Sequence, residues 1–176
     1  FYKINKKLEV DISDLIKKLE KQVKCLFVVN FFGFEQPNLS IIEKICKEKQ
    51  ISVVIDNVQS PLSKKSFHGD YSFNSLRKSL PVPDGAILKI KKNRNINLKV
   101  HSIFHGYFRF LFLTLKNTTY LKSLWYPLLK YYEKNLVNKG PFPSYGSKIS
   151  SYLTKSINFK EVVKTRRRNY IYLRDK

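Results

Sequence analysis

The chain has 176 residues, with 34 Lys and Arg against 13 Asp and Glu, a formal net charge of +21. This length suits one domain, or one and part of another, and 43% hydrophobic and 14% aromatic residues are ample for a packed core, which excludes wholesale disorder. Two cysteines, Cys25 and Cys46, are too few for a disulfide scaffold and lack metal-ligand spacing.

Met is absent and the chain opens on Phe1, so we expect either a processed protein or a piece of a longer one. Residues 1–19 mix charged and apolar side chains, and no signal peptide is expected there. Ile12, Leu15, Ile16 and Leu19 fall at helical spacing, with Asp11 or Ser13 as the cap. Residues 25–29 form a short continuous apolar run, which predicts a strand buried on both faces. Residues 30–37 read as a loop containing Gly33 and Pro37. Ile41, Ile42 and Ile45 predict a helix over 39–49, and residues 51–55 a second buried strand that ends at Asp56. Helix, strand, loop, helix and strand with short connections make an α/β layer with parallel strands. Ligands of such sheets sit at the carboxyl ends of the strands, and Asp56 is at one. Residues 57–85 are polar and loop-rich, with Pro61, Gly69, Pro81, Pro83 and Gly85, and read as a functional loop set. Residues 86–90 predict one more strand.

The second half changes character. Residues 98–115 and 119–137 predict amphipathic helices, the latter around Trp125, whose expected role is packing. The run 108–115 is too short, and too interrupted by Arg109, to span a bilayer. A membrane-surface helix is left open and ranks below core or oligomer packing. Residues 140–143, Gly-Pro-Phe-Pro, break the chain, and 159–173 predict a helix with Arg166, Arg167 and Arg168 in its middle. Charge is uneven: 14 basic and 10 acidic residues up to Asp84, then 20 basic and three acidic from Gly85. A basic half of this kind attracts phosphate backbones or anionic membranes. However, Lys greatly outnumbers Arg, and Asn, Ile, Phe and Tyr are frequent, as AT-rich coding produces. Nucleic-acid readers favour Arg, so coding bias is the preferred explanation and nucleic acid is not a favoured partner.

Chemistry concentrates in the middle. Asp56 ends a buried strand; no His or Cys cluster accompanies it, so no metal is expected, and it can equally cap the next segment. Downstream, residues 69–78 carry small hydroxyl side chains and Lys78, and residues 80–86 form a proline-rich loop into a strand. A strand-end acid and a downstream lysine are what pyridoxal phosphate requires. The acid keeps the pyridine nitrogen protonated, and the lysine forms the Schiff base. Arg77 stands beside it in the sequence.

These motifs resemble the DegT/DnrJ/StrS-type sugar aminotransferases, a pyridoxal-phosphate-dependent family with an aspartate-aminotransferase-like fold. Val29-Asn30-Phe31-Phe32-Gly33 is similar to the family's Val-His-x-Tyr/Phe-Gly, with Asn30 in place of His. Ile55-Asp56-Asn57-Val58-Gln59 resembles its acid-x-x-Gln element, which implies that Asp56 pairs with the pyridine nitrogen and Gln59 lies near the phenolic oxygen. Gly69-Asp70, Ser72-Phe73 and Lys78 resemble the Schiff-base segment, making Lys78 the catalytic lysine and Ser72 the phosphate ligand. Residues 77–85 resemble one subgroup, and residues 165–170 with Leu173 the Arg-rich helix that leads to the smaller domain. The serine lies six positions before the lysine rather than the usual five, and Ser75 is a substitute for it.

The resemblance implies the central fragment of a cytoplasmic aminotransferase, without the family's earlier glycine-containing phosphate loop or its small domain. Residues 1–97 would be the α/β part of the large domain, 98–157 its helices, and 158–176 the start of the connecting helix. The implied fold is a mostly parallel sheet flanked by helices. The implied reaction moves an amino group from glutamate to a nucleotide-linked keto sugar, as in polysaccharide biosynthesis, in a homodimer. A truncated, inactive relative and a basic nucleic-acid or membrane binding module are the alternatives. His68 reads as solvated or near the cofactor. His101 and His105, four apart, read as packing rather than a metal pair, and both cysteines as buried fillers.

Overall fold

Four strands collect the first half of the chain. The computed structural model describes residues 1–20, 22–60, 68–92, 96–98, 103–115, 126–128, 130–131, 134–135 and 145–176. Strands β1 (Cys25–Val29), β2 (Ser52–Asp56), β3 (Tyr71–Ser75) and β4 (Ala86–Ile90) are neighbours in that order. The pairs β1–β2 and β2–β3 are parallel and β3–β4 is antiparallel, so the fold is α/β with a mixed sheet.

Helix α1 (Ile12–Lys18) starts where Asp11 accepts a hydrogen bond from Asp14 N at 3.0 Å; Asp11, not Ser13, is the cap. Helix α2 (Leu39–Glu48) buries Leu39, Ile42 and Cys46, one stripe at spacings of three and four. Leu15, Leu19, Leu39, Ile42 and Cys46 pack on Leu26, Val28, Val53 and Ile55. They cover one face of the sheet. The strand over residues 25–29 is therefore not buried on both faces as expected: Leu26 and Val28 are buried, whereas Phe27 is 47% exposed. Cys25 shares Phe27's face and is exposed, which corrects its reading as a buried filler; Cys46 is buried.

Burial pushes the Cys46 thiol up to about 11, and the charges of Asp70 and Cys25 add to the shift. A thiol-specific reagent at pH 8 is expected to modify Cys25 in the native protein and Cys46 only after denaturant is added. Rapid double modification without denaturant, read by mass spectrometry, would contradict this burial.

Strand β3 lies inside the stretch expected to be loop. Its inward residues, Ser72 and Asn74, are polar, while Tyr71 and Phe73 lie on the half-exposed face. The usual hydrophobic-in, polar-out alternation is inverted, which hid the strand. Asp70 ties its start to β2: its carboxylate accepts from Val53 N at 2.9 Å and its own N donates to Val53 O at 2.9 Å.

The chain divides into two compact units, residues 1–79 with 86–95, and residues 80–85 with 96–176. The second contains α3 (Ile103–Leu115), α4 (Lys148–Ser156) and α5 (Phe159–Arg174). Within the helix expected over 119–137, residues 126–128, 130–131 and 134–135 are helical. The remainder of that stretch, Trp125, His101 and the break at 140–143 lie outside the described residues. Ser147 caps α4 by accepting from Ser150 N at 3.2 Å, and Asn158 caps α5 by accepting from Glu161 N at 3.2 Å. Leu80, Val82 and Pro83 are buried in this unit. After them, Asp84 Oδ1 accepts from both N and Oγ of Ser147 at 3.0 Å. Among the described residues, no helix is long and apolar enough to cross a membrane.

Candidate functional site

Strand register decides which motif residues meet. Val29 pairs with Asp56, and Asp56 with Phe73, so these three form a row across β1, β2 and β3 at their carboxyl ends. Residues paired in this way share a face, and alternation adds Ser75 to the same face as Asp56. That is the face α1 and α2 leave uncovered. Phe27 and Phe73 lie on it with ring centroids 5.9 Å apart, tilted by 39°.

Asp56 is half-buried, and its Oδ1 accepts from Val58 N at 2.8 Å, an Asx-type turn that fixes the carboxylate at the strand end. Gln59 is exposed, but its carbonyl lies close under Gly33: a Cβ added there would stand 3.0 Å from Gln59 O. Gly33 also has φ +85, so both the close approach and the backbone favour glycine. The loops after β1 and β2, carrying the first two motifs, are thereby packed together.

Lys78 ends a 3-10 turn, Leu76–Lys78, that directly follows β3. It is exposed, and its amine forms no hydrogen bond or ion pair among the described residues. Acid and lysine therefore leave adjacent parallel strands at the same end of the sheet. Ser72 does not join them: it is 2% exposed and points to the helix-covered face opposite Asp56. Ser75, half-buried, is on the Asp56 face.

His68 is exposed and held at the surface, Nε2 3.2 Å from Glu35 Oε1 and Nδ1 3.7 Å from Glu43 Oε2. Gly69 N donates to Glu43 Oε1 at 2.6 Å, so this cluster fastens the entry to β3 onto α2. Among the described residues, no group of three or more His, Cys, Asp and Glu side chains is placed to hold a metal ion. A hollow of about 280 Å³ lined by Lys7, Leu8, Phe31, Phe34, Gln36 and Pro37, among others, includes neither Asp56 nor Lys78.

No protein-family model matches the chain, and no curated protein matches it. The residues themselves must carry the functional reading.

Sequence reasoning gave no role to Asn57 and Asn74. Both are 1% exposed, each directly after a residue of the Asp56 row. Their signal in the sequence was an asparagine one residue past the Asp56 row on each strand, at 30, 57 and 74.

Proposed function

We propose that the chain carries the cofactor-lysine segment of a pyridoxal-phosphate-dependent aminotransferase of the DegT/DnrJ/StrS type, with the aspartate-aminotransferase-like fold. One observation carries the reading: the acid of β2 and the lysine after β3 leave neighbouring parallel strands at their carboxyl ends. The donor set fits the group. Asp56 is an oriented, half-buried acid for the pyridine nitrogen, and Lys78 offers an amine with no competing partner among the described residues. Ser75, on the Asp56 face, suits the phosphate better than Ser72, whose burial on the opposite face argues against it. Gln59 remains the residue for the phenolic oxygen.

When bound, pyridoxal phosphate supplies an electron sink for the substrate carbanion. Asp56 would hold a proton on the pyridine nitrogen by its negative charge. Lys78 would hold the cofactor and, with its amine free, would move the proton at the substrate carbon as general base and then acid. The donor is glutamate and the acceptor a nucleotide-linked keto sugar, in a cytoplasmic homodimer. These assignments rest on the motif resemblance.

Incubation with pyridoxal phosphate followed by borohydride reduction is expected to leave a pyridoxyl group on Lys78, located by peptide mapping because the chain is lysine-rich. Lys78→Ala should remove that labelled peptide. Absence of label on Lys78 in the wild-type protein overturns the reading and favours an inactive relative.

A second reading rests on α5. The helix buries none of its residues, and at 100° per residue Lys160, Lys164, Arg167, Arg168 and Arg174 fall within one stripe about 120° wide. A basic module of this kind should bind duplex DNA or anionic vesicles with an affinity that falls about 10³-fold or more between 50 and 200 mM salt if six or more phosphates are contacted. No binding at either salt concentration removes this reading.

A further inference from the structure

Asn30, Asn57 and Asn74 follow directly on Val29, Asp56 and Phe73, so they form a second row, one residue beyond the first and on the opposite face. They are 3%, 1% and 1% exposed. Buried amides are costly unless bonded, and polar side chains are an unusual choice for a helix-covered face. Asn74 is bonded towards β4, its Oδ1 accepting from Ile87 N at 3.1 Å, whereas the bonds of Asn30 and Asn57 lie around Asp56. Asn30 N donates to Asp56 O at 3.1 Å, and Asn30 Nδ2 donates to Asn57 Oδ1 at 2.6 Å. Asn57 N in turn donates to Phe73 O at 2.8 Å.

Asn30 is itself fixed. Its Oδ1 accepts from Gln36 N at 3.1 Å, while Gln36 Nε2 donates to Val29 O at 3.2 Å and to Leu8 O at 2.8 Å. The Asp56 backbone is thus gripped from the β1 side at its carbonyl and, through the Asn57 side chain, at the residue that follows. Only the carboxylate is directed to the other face.

We infer that Asn30 is a positioning residue for Asp56: its side-chain bond to Asn57 fixes the peptide after Asp56 and so the direction in which that carboxylate meets a pyridine nitrogen. The inference rests on the reading of Asp56 as the acid that serves pyridoxal phosphate. Asn30 touches no cofactor in this role and acts through Asp56 alone.

Because Asp56 in this role would meet only the ring nitrogen, the test compares pyridoxal phosphate with its carbocyclic analogue, in which that nitrogen is replaced by CH. Both keep the aldehyde, phenol and phosphate. Dissociation constants are measured by equilibrium dialysis for the wild-type protein, Asn30→Ala and Asp56→Asn. The wild type should prefer pyridoxal phosphate, Asp56→Asn should lose the preference, and Asn30→Ala should reduce it by about three- to tenfold, part of one hydrogen bond to a charged group. Binding of the analogue should be unchanged in Asn30→Ala. Equal weakening of both ligands shows a merely structural role and overturns the inference, as does an undiminished preference. A wild-type protein with no preference instead overturns the reading of Asp56, and the inference falls with it. If the alanine variant does not fold, Asn30→Ser gives the same comparison: its hydroxyl is too short to reach Asn57. Asn30→His, which restores a longer donor, should recover the preference.

Discussion

Gly106→Ala is expected to destabilise the second unit by about 1–3 kcal/mol, the usual cost of forcing an extra carbon into a packed contact. Helix propensity alone gives the opposite sign, since Ala in a helix interior is favoured over Gly by about 1 kcal/mol. Packing decides the outcome. A Cβ on Gly106 would overlap the Ser147 Cβ, stand 2.6 Å from Ser147 Oγ and 3.2 Å from Ile149 Cγ2. Ser147 has little freedom to retreat, because its Oγ accepts from Ser150 N while donating to Asp84 Oδ1 at 3.0 Å. Its movement would uncap α4 and release Asp84, whose Oδ2 is already buried with no partner. Each bond lost adds about 1 kcal/mol. Urea titration followed by circular dichroism should show a lower midpoint, and Gly106→Ala should lower it less in a Ser147→Gly background than in the wild-type chain. A raised midpoint for Gly106→Ala alone would mean that the helices do not approach this closely.

Where the sequence was legible, one physical signal dominated. Asp11 and the 12, 15, 16, 19 spacing marked α1, and the apolar run ending at Asp56 marked β2, because each satisfies propensity and pattern together. It failed where the two parted. A five-residue apolar run at 25–29 does not say whether one face or two are covered, and here Phe27 is left on an open face. At 71–75 the apolar residues are on the more exposed face and Ser72 and Asn74 are inside, so periodicity pointed away from the core. The same inversion puts the two serines on opposite faces. Ser72 has the spacing nearer the family's, yet strand parity turns it to the face opposite Asp56, and only the paired register reveals this. Lys78 and Asp56 were legible as motif residues; that their strands are neighbours and parallel is a property of the sheet.

Ile55→Ala is expected to destabilise the first unit by about 2–5 kcal/mol. Ile55 is 0% exposed, belongs to the core cluster and sits one residue before Asp56. Its neighbourhood includes Gly69, where an added Cβ would meet Ile55 Cγ1 at 3.0 Å, Ile55 Cδ1 at 3.1 Å and Val53 O at 3.0 Å. Gly69 also has φ +84, a conformation that costs an L residue about 1–2 kcal/mol before any crowding. Gly69→Ala therefore carries two penalties, and Ile55→Ala relieves only the side-chain part of one. The double variant should be less destabilised than the sum of the singles by about 0.5–3 kcal/mol, the range for residues in contact. It should still fall below Ile55→Ala alone, because the φ strain and the Val53 carbonyl remain. Denaturant midpoints for the four proteins decide this. Strict additivity would show that Gly69 does not pack on Ile55, and that the entry to β3 is held to the strand bearing Asp56 by its hydrogen bonds alone.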